Sequence, residues 1–347
     1  MGNTLIKSKF IINQDSLSKQ ILIFLFIFIS ACDNKREALG ADNEIRVICS
    51  NIDKKVLKKY LSLIFNDTLY TPEAEPYYHL KFSEPDKFNQ LKAQSMVIVG
   101  SIKHDDNSGL KLMNQLLPDS QFKTTLQGDP VILGKDVYAK KQLLMIINAR
   151  SEDHLMSSLE QKRNQFRKHF NDQFIERQNR FLFGDDRNTL LEDSLKSEYG
   201  WTLKIPWGWD RIKNLPDSNF VWLGREMPFQ WIGIGWIQGN ILSSELSAGD
   251  FIWNWPKDNY KTIQINNYKF KLDKTNHGDT FAYRAQGIWE TVSLKESKGG
   301  PFRSYLFYDS INDLTYHLNF LIHHPGDDKS IFMRQMDMII KTFRASI

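Results

Sequence analysis

At 347 residues the chain has room for about two domains, and its make-up of 41% hydrophobic, 25% charged and 13% aromatic residues is that of a folded globular protein. The formal net charge is +4, of which Lys7, Lys9 and Lys19 against Asp15 place +2 in the first 31 residues, so the remainder is nearly balanced and carries no basic footprint for nucleic acid. Two cysteines, Cys32 and Cys49, exclude a disulfide framework within one chain if Cys32 is modified.

Ile21 to Ile29 is an unbroken run of nine apolar residues. A spanning helix needs about 20, whereas nine fits the apolar core of a secretory signal, about 7–15 residues long. Ser30 and Ala31 follow, then Cys32. Ile29-Ser30-Ala31-Cys32 resembles the bacterial lipobox, which implies a signal peptide over residues 1–31, cleavage before Cys32 and a diacylglycerol thioether on it. At about 0.8 kcal/mol per buried CH₂, two or three acyl chains hold a soluble domain on a membrane. The expected place is the cell envelope, on the outer membrane or the periplasmic face of the inner one. Residues 32–43 read as a polar tether.

Glu44–Ser50 is β-branched and reads as a strand. Val56, Leu57, Tyr60, Leu61 and Ile64 predict a helix over Asp53–Phe65, capped by Asn51 or Asp53. Tyr77–Phe82 predicts a strand and Pro85–Gln94 a short helix. Ser95–Ser101 is a continuous apolar strand, of the kind buried on both faces. His104–Lys135 is polar and reads as a long surface excursion with a short helix near Leu110–Leu117. Val137–Ala149 predicts a strand. Ser151 caps a helix reaching about Phe183, with Leu155, Leu159, Phe166, Phe170, Phe174 and Phe181 on one face.

Beyond Gly184-Asp185-Asp186 a helical piece, Thr189–Ser197, is followed by a change of composition: all nine tryptophans lie between Trp201 and Trp289. Strands are predicted at Trp201–Pro206, Phe220–Arg225, Trp231–Gln238, Phe281–Val292, Phe302–Asp309 and Leu314–His323. Ile263–Ile265 and Tyr268–Leu272 flank Asn266-Asn267 as a tight hairpin. Asp327 or Asp328 opens a last helix with Phe332, Met336, Ile339, Ile340 and Phe343 as its apolar face. The fold class is α+β: an N-terminal domain over 44–184 and a Trp-rich C-terminal domain over 196–347, each a mainly antiparallel sheet covered by amphipathic helices.

Several stretches, in this order, resemble an uncharacterised bacterial lipoprotein family, domain of unknown function 4837. They are Asn43-Glu44-Ile45-Arg46-Val47, Pro72-Glu73-Ala74-Glu75-Pro76, Lys135-Asp136-Val137-Tyr138-Ala139 with Gln142, Ile205-Pro206-Trp207-Gly208-Trp209, Phe220-Val221-Trp222-Leu223, Gly287-Ile288-Trp289-Glu290, and Gly299-Gly300-Pro301-Phe302 before the Lys329–Phe343 helix. The resemblance spans about residues 43–347 and implies no activity and no functional residue. The first strand ending in Pro206-Trp207-Gly208-Trp209 and the helix ending Ile340-Lys341-Thr342-Phe343-Arg344 also resemble the Mog1/PsbP-like sandwich, which implies binding or assembly at the level of fold alone.

Three groups invite a chemical reading. Tryptophans suit stacking on a glycan or other ligand; most sit inside strand patterns, and Trp253 and Trp255, beside Pro256, are expected as an exposed pair. Gly299, Gly300, Pro301 and Phe302 offer backbone N–H groups to a ligand, without the Lys-Ser/Thr of a phosphate loop; a turn or bulge needing positive φ is the competing reading. His317 and His323 share a strand face, with His324 opposite, but no acid or thiol stands at metal-site spacing, so no metal is expected. Asp105-Asp106 and Asp185-Asp186 read as solvated turns, and Cys49 as a buried thiol. No cofactor motif and no nucleophile elbow is present. The expectation is a non-enzymatic, membrane-anchored envelope protein that binds a protein or glycan partner. The alternatives are an envelope hydrolase with an inter-domain site and a structural subunit of an envelope assembly.

Overall fold

The computed structural model describes residues 35–71, 73–102, 107–215, 219–293, 295 and 297–345. The leader, Cys32, Pro72 and the Asp105-Asp106 pair lie outside the described residues.

The N-terminal half runs β1 (Glu44–Cys49), α1 (Asn51–Ile64), β2 (Thr68–Leu69), β3 (Glu75–Pro76), β4 (His79–Ser83), α2 (Phe88–Leu91), β5 (Met96–Ser101), α3 (Ser108–Leu116), α4 (Asp119–Gln127), β6 (Val131–Lys135), β7 (Leu143–Asn148) and α5 (Glu152–Phe183). Five of its strands form a sheet in the order β4-β1-β5-β7-β6. β1 pairs in parallel with β4 and β5, and β5 with β7, while β6 is antiparallel to β7. The expectation of a mainly antiparallel sheet is therefore corrected for this half. The physical reason is the connections: helices lie between successive parallel strands and cover both faces, so the central strands β5 and β7 are buried on both faces rather than alternating. Every residue of β5 and β7 is buried. α1 and α5 cover one face, and α3 with Phe88 covers the other.

Ser50, rather than Asn51 or Asp53, caps α1 by accepting from the Asp53 N–H. Asp53 is itself fully buried: its Oδ1 accepts from the Ile102 N–H at 3.2 Å and its Oδ2 from the Ser50 hydroxyl at 2.9 Å. Its carboxylate thus fills the crevice beyond β1 and β5, where the strand order reverses and parallel sheets commonly take ligands.

Two loop expectations are also corrected. Residues 36–43 are docked, not a free tether: Ala38 N–H donates to Lys140 O, Leu39 N–H to Ala93 O, and Ser95 N–H to Leu39 O. Residues 107–135 form α3, α4 and β6, because Leu112, Met113 and Leu117 supply the second apolar cover for Ile48, Val97 and Val99.

The C-terminal half runs α6 (Thr189–Tyr199), β8 (Trp201–Thr202), β9 (Asp210–Leu215), β10 (Phe220–Arg225), β11 (Phe229–Gln238), α7 (Glu245–Tyr260), β12 (Ile263–His277), β13 (Thr280–Thr291), β14 (Gly299–Asp309), β15 (Leu314–His323), α8 (Ser330–Ile340) and β16 (Arg344–Ala345). Seven strands form an antiparallel sheet in the order β12-β13-β14-β15-β11-β10-β9. α6 and α8 pack on one face and α7 on the other. With its N-terminal partner this makes the molecule α+β as expected, each sheet sandwiched between helices.

The hairpin expected at Asn266-Asn267 is instead a bulge within β12. Ile265 pairs with Trp289 and Phe270 with Gly287, so β12 stays on β13 while its extra residues loop out. A Cβ at Gly287 would lie 2.2 Å from Lys269 O, so only glycine admits the bulge at that point. α7 falls in a stretch that the sequence pattern leaves without an element. Ser244 caps it in a reciprocal capping box with Ser247.

The halves share a core: Leu69 of β2 and Leu182 of α5 belong to the same buried cluster as the C-terminal sheet and α8.

Candidate functional site

The residues singled out from the sequence are not brought together. Trp253 and Trp255 lie in α7, but Trp255 is buried under the helix and Trp253 sits edge-on to Phe270 at 5.2 Å, so the expected exposed pair is overturned. Its cause is the helix itself, which turns Trp255 onto the sheet beside Ala248 and Ile252. Gly299, Gly300, Pro301 and Phe302 open β14 as a paired strand, not an open cradle: Gly300 pairs with Trp289 and Phe302 with Leu321. A Cβ at Gly300 would lie 2.0 Å from Ile322 O, and Phe302 is fully buried.

His323 Nδ1 lies 2.8 Å from Gly299 O, His324 faces Asp327 at 3.5 Å, and His317 is buried in the sheet. Among the described residues no group of three or more His, Cys, Asp or Glu is placed to hold a metal ion. Cys49 is buried as expected. Burial, then the Asp53 and Glu84 carboxylates, push its thiol to about 12, so it keeps its proton.

The site that the fold does assemble lies along the seam between the halves, where α5 meets α8. The Arg334 guanidinium lies over Phe174, 3.3 Å from the ring centroid, with Tyr78 and Tyr77 at 4.8 and 5.3 Å. It also donates to Tyr78 Oη at 2.9 Å and to Asn171 Oδ1 at 3.1 Å. Gln335 donates to Gln178 at 2.7 Å, and Gln178 and Arg177 both donate to Asp42 of the docked arm. At the other end, Asp328 lies 2.5 Å from His79 Nε2 and accepts from Asn43 and the Ser330 N–H. Burial works against ionisation of Asp328, but hydrogen bonds from His79 and Ser330 outweigh it and hold the carboxyl at about 2, below its ordinary 3.8.

On the open side of this seam is a groove of about 1080 Å³. Its walls carry Phe181 from the end of α5, Trp207 and Arg225 from the C-terminal half, and Phe332 from α8. Trp207 is 74% exposed and Phe181 68% exposed. The local geometry explains Trp207: Gly208 takes φ +74°, which reverses the chain so that Trp209 enters the core and Trp207 is turned out. Phe181 is thrown out because α5 changes neighbours. Phe170, Phe174, Gln178 and Leu182, spaced by four, form its buried stripe, so Leu182 enters the C-terminal core while Phe181, expected on the apolar face of the helix, lies off it. On the arm side the charges are paired, Arg180 with Glu37 at 2.6 Å and Arg177 with Asp42 at 2.5 Å. Arg225 donates to Met227 O at 2.9 Å. The groove thus offers two exposed aromatic rings and an arginine beside the paired groups Arg177, Gln178, Gln335 and Asp42, the composition of a recognition surface. The sequence signal for it was slight: Gly208 between Trp207 and Trp209.

Residues 244–342 match the family model described as a domain of unknown function, DUF4837, and residues 38–183 match a second, DUF8532. No curated protein matches the chain. Among solved structures, a mutant of protein Mog1 and the Saccharomyces cerevisiae Ran-binding protein Mog1p are each 10% identical at a TM-score of 0.31, over 42% of this chain and 90% of theirs. A protein from Bacteroides thetaiotaomicron is 11% identical at a TM-score of 0.26, over 43% of this chain and 46% of its own. The resemblance to domain of unknown function 4837 read from the motifs thus holds over residues 244–342, while residues 38–183 match the separate DUF8532 family.

Proposed function

We propose that the protein is a membrane-anchored binding protein of the bacterial cell envelope, held by lipid on Cys32, whose seam groove takes a protein partner. The observation that supports this reading is the pair of exposed rings, Trp207 and Phe181, lining one groove beside Arg225. Tryptophan and arginine dominate the binding energy of protein interfaces when a partner desolvates them. The arm adds a positional argument. Glu37, on the groove's edge, is five residues from Cys32. At about 3.3–3.6 Å per residue the lipid would sit within about 18 Å of the groove. A partner in the groove is then a membrane protein or one held at the same surface.

The test is photo-crosslinking in cells from a photoreactive phenylalanine placed at Trp207, together with intact mass of the membrane-extracted protein. The expected result is an adduct of one fixed mass, and a mature chain that begins at an acylated Cys32 and leaves the membrane fraction on Cys32→Ala. Trp207→Ala should weaken partner binding by about 2 kcal/mol or more, roughly thirtyfold. Adducts spread over unrelated masses, or unchanged by Phe181→Ala with Arg225→Ala, would overturn the partner assignment. An intact leader would overturn the anchor.

A further inference from the structure

A second concavity, of about 390 Å³, lies on the other face of the C-terminal sheet, between α7 and strands β11 and β15. That is near the small end of the range for ligand pockets, about 300–1,000 Å³. Gly235 of β11 lines the pocket, and together with Gly233 it faces α7, where the missing side chains let Trp255 and Tyr260 pack close. A Cβ at Gly235 would lie 3.0 Å from Trp255 Cζ2, and one at Gly233 would lie 2.2 Å from Tyr260 Oη.

Thr315 and His317 of β15 line the floor; with Asn319, the next residue on the same strand face, they point under α7 and are at most 1% exposed. Two of the three are satisfied. Thr315 donates to Gly239 O at 2.7 Å, and Asn319 accepts from Tyr260 at 3.1 Å and donates to Ser304 at 2.8 Å. His317 lines the pocket between them, and neither of its ring nitrogens has a hydrogen-bond partner among the described residues. Trp255 and Phe251 meet its ring edge-on, with centroids at 4.4 and 5.6 Å. Burial holds the imidazole neutral down to about 3, so it presents one donor and one acceptor. Buried polar groups are nearly always paired, and one left unpaired inside a pocket points to a ligand.

The rim states the ligand's chemistry. Asp250, Asn254 and Asp258 follow one another at four-residue intervals along the exposed side of α7, and no lysine or arginine lines the pocket. Two carboxylates, amides and a neutral imidazole do not suit an anion. They suit a molecule rich in hydroxyl donors, with an apolar body to lie against Phe251 and Ile237. The two carboxylates stand eight residues apart, about 12 Å along the helix, which is longer than one sugar ring.

We propose that this pocket binds a short neutral glycan of two rings, with one hydroxyl paired to the His317 imidazole and others to Asp250, Asn254 and Asp258. The site is distinct from the seam groove and does not depend on it.

The test is saturation-transfer NMR and calorimetry on the full chain, in a detergent without a sugar headgroup, titrated separately with maltose, cellobiose, N,N′-diacetylchitobiose, glucosamine and inorganic phosphate. The expected result is saturable binding of a neutral disaccharide with a shift of the His317 ring nitrogens. Asp250→Asn with Asp258→Asn should weaken it about tenfold, the loss of one to two hydrogen bonds. His317→Phe should abolish it. Because a change at His317 also disturbs the core, the exposed rim variants decide. No binding of any neutral disaccharide at tens of millimolar, binding of glucosamine or phosphate alone, or binding indifferent to the rim variants would each overturn the proposal.

Discussion

Gly233 sets the depth at which α7 sits on the C-terminal sheet. The missing side chain makes room for the Tyr260 hydroxyl, which donates to Asn319 at 3.1 Å and so ties the helix to β15. Gly233→Ala forces that ring and the helix to move, and overpacking of this kind costs about 1–3 kcal/mol. Thermal unfolding should show a clear drop in midpoint. Gly249→Ala is the control, since a Cβ there meets nothing nearer than Leu272 Cδ2 at 3.5 Å and alanine favours the helix; it should leave the midpoint unchanged or raise it. If the two variants lose equally, close packing is not what fixes Gly233.

The buried histidines make a second prediction at the residue scale. Burial lowers His317 to about 3 and His277 to about 4, against an ordinary 6.5. Below pH 6.5 the unfolded chain takes up protons that the native rings refuse until their own lowered values. Each ring therefore withdraws up to about 1.4 kcal/mol of stability per pH unit as pH falls. That loss runs from 6.5 down to about 4 for His277 and about 3 for His317. Urea unfolding at several pH values should show stability falling through this window, and less steeply in His277→Phe. A flat profile between pH 6.5 and 4 would mean that the rings are protonated in the native state.

At the scale of elements, what could be read from the sequence depended on whether one segment bore its own signal. α5 was legible because Ser151 accepts from the His154 N–H at its start and its apolar residues recur at helical spacing. β5 was legible as a strand buried on both faces, and that same continuity carried the parallel pairing that the antiparallel expectation missed. α7 was illegible because Gly249 and Pro256 interrupt it and four of its residues are aromatic, each disfavoured in a helix interior. What stabilises it is tertiary: Ala248, Ile252, Trp255 and Tyr260 bury against the sheet. The same cause hid both sites. Phe181, Trp207, Arg225 and Phe332 lie on four separate segments, and each alone looks like an ordinary core or surface residue. His317 was visible as a histidine, but its lack of a partner depends on Trp255 and Gly235, which only the folded sheet brings beside it.

At the scale of the whole molecule, the seam decides whether the chain behaves as one unit or two. Leu182 and Leu69 reach from the N-terminal half into the C-terminal core, and Arg334 reaches back into a cage of Phe174, Tyr77 and Tyr78. A desolvated cation–π contact is worth about 2 kcal/mol and a charged hydrogen bond about 1.5–3 kcal/mol. Leu182→Ala costs a further 2–5 kcal/mol or so if the site does not collapse. Terms of that size are comparable with the stability of a single domain, about 5–15 kcal/mol. The wild type should therefore unfold in one calorimetric transition, and Arg334→Ala with Leu182→Ala should split it into two, because each half keeps its own sheet and helices. A wild type that already melts in two steps would show the seam to be weak. A double variant that melts in one step at lower temperature would place the coupling elsewhere. The consequence for recognition follows from where the groove's walls originate. Phe181 belongs to one half, and Trp207, Arg225 and Phe332 to the other, so their spacing exists only while the seam is closed. Crosslinking from position 207 should accordingly fall in the double variant at temperatures where both halves are still folded, ahead of any loss of helix or strand.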